Sequence, residues 1–135
     1  MKELIVVRHA KSSWDHAGLA DHERPLLEKG KKRTRKIISY LQEQGVKPEF
    51  ILTSSALRAR ETALYVAMGL GLDKGLVKVD PALYHADADQ LMEQFDDLSD
   101  NFNSVMLVGH NPALTNFVNF FLVPAIDWLP TSGVV

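Results

Sequence analysis

A chain of 135 residues with 46% hydrophobic content has room for a single domain built on one core. Its formal net charge of −2 lacks the basic bias of a protein that lives on nucleic acid or an anionic membrane, so any anion it binds must be met by local groups. The absence of cysteine excludes disulfides, thiolate metal sites and a cysteine nucleophile.

Residues 4–7, Leu-Ile-Val-Val, form a short apolar run typical of a strand covered on both faces of a parallel sheet. The run is too short for a signal-peptide core, and no later stretch reaches about 18 apolar residues, so the expectation is a soluble cytoplasmic protein with no membrane partner. Arg8 and His9 follow the run at once. The polar segment 12–26 holds His16 and His22, expected as exposed loop residues or substrate contacts, and Arg24, expected at the rim of a site or paired with Glu23 or Glu28. Residues 29–44 carry Ile37, Ile38 and Leu41 at helical spacing and stop at Gly45, before Pro48. The basic run 29–36 reads as a solvated helix face, with docking to an acidic partner as the alternative.

Residues 50–52 predict a second strand. Ser54 or Ser55 then caps a helix over 56–68, with Leu57, Leu64 and Met68 on its core side and Arg58 in its first turn, where Glu61 and Thr62 stand ready to brace the guanidinium. A further helix over 88–98 presents Leu91, Phe95 and Leu98. The acidic residues Asp87, Asp89, Glu93, Asp96, Asp97 and Asp100 are expected on the surface and lack the glycine and terminal glutamate of a calcium loop. Residues 105–108 predict a third strand, followed by Gly109 and His110; Asn111 and Pro112 shape the turn into a helix over 113–122, with Leu114, Phe117, Val118 and Phe121 in the core. The segment 131–135 reads as a turn leading into a last strand that is short or missing, and an edge so exposed would invite self-association. Strands alternating with helices predict an α/β/α sandwich around a mostly parallel sheet, with a ligand beyond the carboxyl ends of the strands.

Arg8 and His9 end one strand, Gly109 and His110 end another, and Arg58 opens the helix after a third. Parallel pairing would bring two imidazoles, two guanidiniums and a helix start to one sheet edge. Guanidiniums repel a divalent cation, whereas their forks match phosphate oxygens, so a phosphoryl group is the better guest. A histidine beside arginines is kept from protonating and can attack as the neutral imidazole.

The segments VVRHAKSSWD, ERPLLEKG, TSSALRARETA, VGHNP and PTSGVV, in this order, resemble the histidine phosphatase superfamily, the phosphoglycerate mutase-like group, and within it the short SixA-like phosphohistidine phosphatases. The resemblance covers nearly the whole chain and implies one such domain over 1–135. It implies His9 as the nucleophile that becomes phosphohistidine, Arg8 and Arg58 as the phosphate clamp, and His110 as the second histidine holding the transferring group. No metal or organic cofactor is implied. Lys11, Ser12, Arg24 and His85 are the candidate substrate contacts. The family's commoner RHG is RHA here, Lys11, Ser12 and Asp15 stand where many members have Glu-Thr and then Asn, and Leu27 replaces a threonine that would cap the next helix. The glutamate acid of mutase-type members is not found. His85, Asp87 and Asp89 are its nearest substitutes, and a P–N bond needs such help less than an ester does. The expected activity is hydrolysis of protein phosphohistidine, with a small-molecule phosphomonoesterase or a non-catalytic phosphate-binding module as rivals.

Overall fold

The computed structural model describes residues 3–13, 18, 20–98 and 101–135; Asp15, His16 and Asp100 lie outside them. The described residues hold four parallel strands, β1 (Glu3–Arg8), β2 (Phe50–Ser54), β3 (Val77–Asp80) and β4 (Ser104–Gly109), in the order β1-β4-β2-β3. Successive strand side chains point to opposite faces. Ile5, Val7, Ile51, Met106 and Val108 therefore meet helices α1 (Glu28–Glu43) and α2 (Leu57–Gly69) on one face. Val6 and Leu107, with Leu4 and Leu52 alongside, meet α3 (Ala88–Leu98) and α4 (Ala113–Val118) on the other. The result is a three-layer α/β/α sandwich. No helix of the described residues is long and apolar enough to cross a membrane.

Two helices, α2 and α4, depart from the sequence expectation. α2 buries Ala59, Ala63, Val66 and Ala67, whereas Leu64 and Met68 lie on its exposed side. The small residues win that face because they allow the helix axis to approach the sheet closely. Its N-cap is Ala56 rather than a serine; Ser54 Oγ instead accepts the Ala56 N–H at 3.3 Å. α4 stops at Val118, because the Asn119 amide donates to the Ile126 carbonyl and accepts the Ile126 N–H, both at 2.9 Å, and so closes a loop. Phe121 is consequently 54% exposed, though its ring still meets Phe95 and Phe117 edge-on. α1 begins at Leu27 with no side-chain cap, as that residue type requires, and Gly45 follows its end at φ +68°.

β3 was not read from the sequence: a four-residue edge strand with Lys78 and Asp80 and a half-exposed Val79 carries little hydrophobic signal. On the opposite edge the segment after Leu129 returns antiparallel to β1. Val6 and Val135 exchange both backbone hydrogen bonds, and the Arg8 N–H donates to the Gly133 carbonyl at 3.0 Å.

Gly30, buried in the first turn of α1, packs on the backbone of Lys11. A Cβ at this position would fall on the Lys11 carbonyl oxygen and 2.9 Å from its nitrogen. Gly30→Ala is expected to destabilise the fold by roughly 1–3 kcal/mol through this overpacking. Urea unfolding measures it, and an unchanged midpoint would show that α1 shifts freely past the loop.

Candidate active site

The register of β1 on β4 sets Arg8 against Gly109, so the next residues, His9 and His110, emerge side by side at the carboxyl edge of the sheet. Their ring centroids are 5.2 Å apart and their planes tilted by 52°. The His9 N–H continues the ladder one step, donating to the Gly109 carbonyl at 3.1 Å. β2 ends beside them at Ser54, and the chain turns into α2 with Arg58 in its first turn. Arg8, His9, Lys11, Ser12, Arg24, Arg58, His110, Asn111 and Thr131 line a crevice of about 330 Å³.

His9 is buried, and its Nδ1 lies 2.8 Å from the Ala10 carbonyl. A carbonyl only accepts, so Nδ1 carries the proton and Nε2 carries the lone pair. Burial lowers its pKa to about 4; the bond to Ala10 works in the opposite direction, and the Arg58, Arg8 and Arg24 charges add to the lowering. His110 is brought to about 3, first by burial and then by His9 and Arg58. Both rings are neutral at pH 7. His110 Nε2 and Ser54 Oγ are 2.6 Å apart.

Arg8 donates from one terminal nitrogen to the Leu129 carbonyl at 3.2 Å and lies 5.7 Å from the centre of the Trp128 ring. Asp21 holds the head of Arg58, one terminal nitrogen donating to the Asp21 carbonyl at 2.8 Å and the other to Asp21 Oδ2 at 3.0 Å, and Tyr84 interacts with the same guanidinium. Asp21 also receives Arg24, at 3.0 Å, and the Tyr84 hydroxyl. Burial opposes its ionisation, but the Tyr84, Arg58 and Arg24 bonds prevail and bring its pKa to about 2. Three buried nitrogens find no hydrogen-bond partner among the described residues: Arg8 Nε, Arg58 Nε and His110 Nδ1. All three belong to side chains lining the one crevice. A buried polar group left unmet costs about 1–3 kcal/mol, and a phosphoryl group offers the acceptor oxygens that both guanidiniums lack.

Of the further sequence candidates, Ser12 is buried and accepts Arg24 at 2.8 Å, while Lys11 is exposed at the rim. Arg24 pairs with Asp21, not with Glu23 or Glu28; Glu28 takes Lys31 instead. His85 does not line the crevice. It lies in a neighbouring cavity of about 250 Å³ with Tyr84 and Asp87, and His110 and Asn111 form the shared wall. Asp87 is engaged at the start of α3, exchanging bonds with Gln90, and Asp89 is exposed in the first turn of that helix. His22 is a half-buried partner of Ser55 at 2.8 Å.

Glu61 and Thr62 do not brace the Arg58 guanidinium. Glu61 faces the Leu26 N–H at 3.4 Å, and Thr62 Oγ1 donates to the Arg58 carbonyl while accepting the Ala10 N–H. The residues that reading the sequence missed are Asp21, Tyr84 and Leu129, whose carbonyl receives Arg8 and Asn111. The i, i+3 spacing of Asp21 and Arg24 is the only trace of the first. Among the described residues no group of three or more His, Asp or Glu is placed to hold a metal ion.

The family model of the histidine phosphatase superfamily, branch 1, matches residues 4–118. An uncharacterized chloroplastic protein of Arabidopsis thaliana is 33% identical over 118 residues, covering 82% of this chain and 54% of its own length. The chain spans about half to two thirds of the curated relatives it matches first. Among solved structures, the candidate phosphohistidine phosphatase SixA of Agrobacterium tumefaciens superposes with a TM-score of 0.84 at 26% identity, over 97% of this chain and 87% of that one. A protein histidine phosphatase SixA complexed with tungstate gives 0.77 at 28%, over 85% and 73%. The sandwich is thus the phosphoglycerate mutase-like fold.

The two neutral imidazoles tie stability to pH. Unfolded, each takes up a proton near 6.5; folded, His9 does so at about 4 and His110 at about 3. Between these limits the unfolded chain binds more protons, so stability rises with pH through this window and is complete above it. The expected result is a flat urea-unfolding free energy above about pH 7.5 and a fall from pH 6.5 toward 4, with a slope approaching roughly 1.4 kcal/mol per pH unit for each histidine. Asp21 contributes in a lower window, its stabilisation being lost as pH falls from 3.8 through about 2. His9→Gln and His110→Gln should each reduce the upper slope, and an unchanged slope in both would contradict the neutral burial.

Proposed function

The chain belongs to the histidine phosphatase superfamily, and from that premise we propose that residues 1–135 form one phosphatase domain acting through a covalent phosphohistidine at His9, with protein phosphohistidine as its substrate. In the first step the His9 Nε2 lone pair attacks phosphorus in line, and the bond from phosphorus to the leaving nitrogen breaks, that nitrogen keeping the electron pair. In the second, water attacks the phosphoryl group on Nε2, releasing inorganic phosphate and restoring the neutral imidazole. Arg8, Arg58 and His110 would hold the phosphoryl oxygens, supplying charge where it concentrates in the transition state. Lys11, Ser12 and Arg24 would extend this positive rim. The hydrogen bond from Nδ1 to Ala10 fixes the ring so that Nε2 is the attacking atom.

The substrate preference rests on one observation: no carboxylic acid lines the crevice among the described residues. Asp21, the carboxylate nearest the clamp, is ionised and saturated by Arg58, Arg24 and Tyr84. An alkoxide must gain a proton to leave. The imidazole of phosphohistidine, whose own pKa is about 6.5, departs as a stable neutral base once a proton arrives from water. The structural likeness to the two SixA proteins supports this reading. A second reading, a small-molecule phosphomonoesterase, is favoured by the neighbouring cavity, where His85 stands near the shared wall and could supply the missing proton.

Phosphate release from a phosphohistidine-bearing protein and from an aryl phosphate, measured in parallel, separates the two. The expected outcome is turnover mainly of the phosphohistidine protein, lost in His9→Ala and little changed in His85→Ala, with a base-stable, acid-labile phosphoryl adduct trapped on the wild type. Turnover mainly of the ester, abolished in His85→Ala, would establish the second reading.

A further inference from the structure

Arg58 is fixed at both ends by different parts of the chain. Its backbone belongs to α2, while its head is gripped by Asp21, in the short turn Asp21–Glu23 that follows β1. A guanidinium has five N–H donors in a rigid plane. Asp21 takes one from each terminal nitrogen, the carbonyl receiving the first and Oδ2 the second, and these bonds occupy the outer end of the fork. Three N–H groups remain, and Nε–H with the neighbouring terminal N–H forms the free side edge. Nε is buried and unpartnered among the described residues, and the side chain lines the crevice beside His9.

The grip is itself held. Asp21 Oδ1 receives Arg24, which in turn donates to Ser12 Oγ at 2.8 Å, and Oδ2 receives the Tyr84 hydroxyl from the loop before α3. The turn is anchored on the same side by the bridge between Ser12 and Leu26 and by the Ser13 N–H on the Pro25 carbonyl. Asp21 thus joins its own loop to the loop before α3 and to the first turn of α2. A carboxylate beside a phosphate site opposes anion binding by its charge, so its place here calls for a compensating role. Holding a guanidinium end-on while leaving its side edge open provides one.

We propose that Asp21 is the positioning residue of the phosphate clamp: its carbonyl and carboxylate turn Arg58 so that the Nε edge faces the phosphoryl group over His9, with Tyr84 steadying the carboxylate. This rests on the reading of Arg58 as the clamp. Asp21 touches no reacting atom. Asp21→Asn keeps the shape and the backbone carbonyl but replaces the charged acceptor, so Arg58 loses alignment, while the charges of Arg8, Arg24 and Lys11 still draw the anion in.

The test is a double-mutant cycle of Asp21→Asn and Arg58→Ala, with phosphate release and Arg Nε–H NMR as readouts on the full chain. Misalignment alone costs up to about 10²-fold, so Asp21→Asn should lower kcat by about 10- to 100-fold with KM little changed. In the Arg58→Ala background it should cost no more than about twofold, the limit of additivity for uncoupled sites. The Arg58 Nε–H resonance, identified by its disappearance in Arg58→Ala, should move on addition of inorganic phosphate to the wild type and fail to do so in Asp21→Asn. Tyr84→Phe, which leaves both Asp21–Arg58 bonds in place, should show a smaller effect of the same kind, and it serves if Asp21→Asn does not fold. Wild-type kcat in Asp21→Asn, a rise in kcat, or an equal loss in both backgrounds would overturn the proposal. If the wild type turned over no substrate while phosphate still moved the Arg58 signal in an Asp21-dependent way, the phosphatase reading would fall and the positioning role would stand.

Discussion

Parallel pairing of β1 with β4, in the register that sets Arg8 against Gly109, is the constraint on which the site depends. Parallel strands end at the same edge, so the residue after each strand lands beside its counterpart without any loop having to carry it there. A slip of one residue would send Val6 and Leu107 to the wrong helix layer, so the same apolar alternation that builds two cores also fixes the distance between His9 and His110. Packing energy is in this way converted into catalytic geometry. The segment after Leu129 reinforces the arrangement from the free edge. It pairs with Val6 and Arg8 through the backbone, and the Leu129 carbonyl receives both the Arg8 guanidinium and the Asn111 amide.

Charge is the second constraint. Arg8, Arg24, Arg58 and Lys11 line one crevice in a chain whose net charge is −2, and Asp21 is the carboxylate set against them. Burial and, after it, this cluster disfavour protonated histidines, which is what the proposed nucleophile requires before a phosphoryl group arrives. Once a dianionic group enters, the electrostatic balance reverses, and the positive charges that suppressed protonation of His9 stabilise its phosphorylated form. The same field therefore serves both halves of the proposed cycle.

Much of this was legible in the sequence because the residues concerned lie next to strong local signals. Arg8 with His9 and Gly109 with His110 each directly follow a short apolar run, and Arg58 follows a strand-to-helix turn, so the pattern pointed to them. Asp21 and Tyr84 carry no such signal. They sit in irregular segments whose only meaning is tertiary, 37 residues separating Asp21 from its Arg58 partner and 63 from Tyr84. β3 was missed for a different reason: on an edge, two charged residues in a four-residue strand cost nothing, so the hydrophobic pattern need not appear. The face of α2 was misjudged because leucine and methionine outweigh alanine on any hydropathy scale, whereas close approach to a sheet selects for small size.

That close approach decides where Arg58, the proposed clamp, stands. Ala59, Ala63 and Ala67 are fully buried, and with them α2 lies near enough to the sheet for its first turn to reach the crevice. Thr62 sits among them and does what an alanine could not. Its hydroxyl donates to the Arg58 carbonyl at 2.7 Å and accepts the Ala10 N–H at 2.9 Å, so one buried oxygen joins the backbone of Arg58 to the residue after His9. The Ala10 carbonyl in turn receives the His9 Nδ1 proton. The orientation of the His9 imidazole and the placement of the helix that carries Arg58 are therefore set by a single connected path, Arg58 to Thr62 to Ala10 to His9. His9 and Arg58 come from different elements, yet neither can shift without straining a hydrogen bond buried beneath the other.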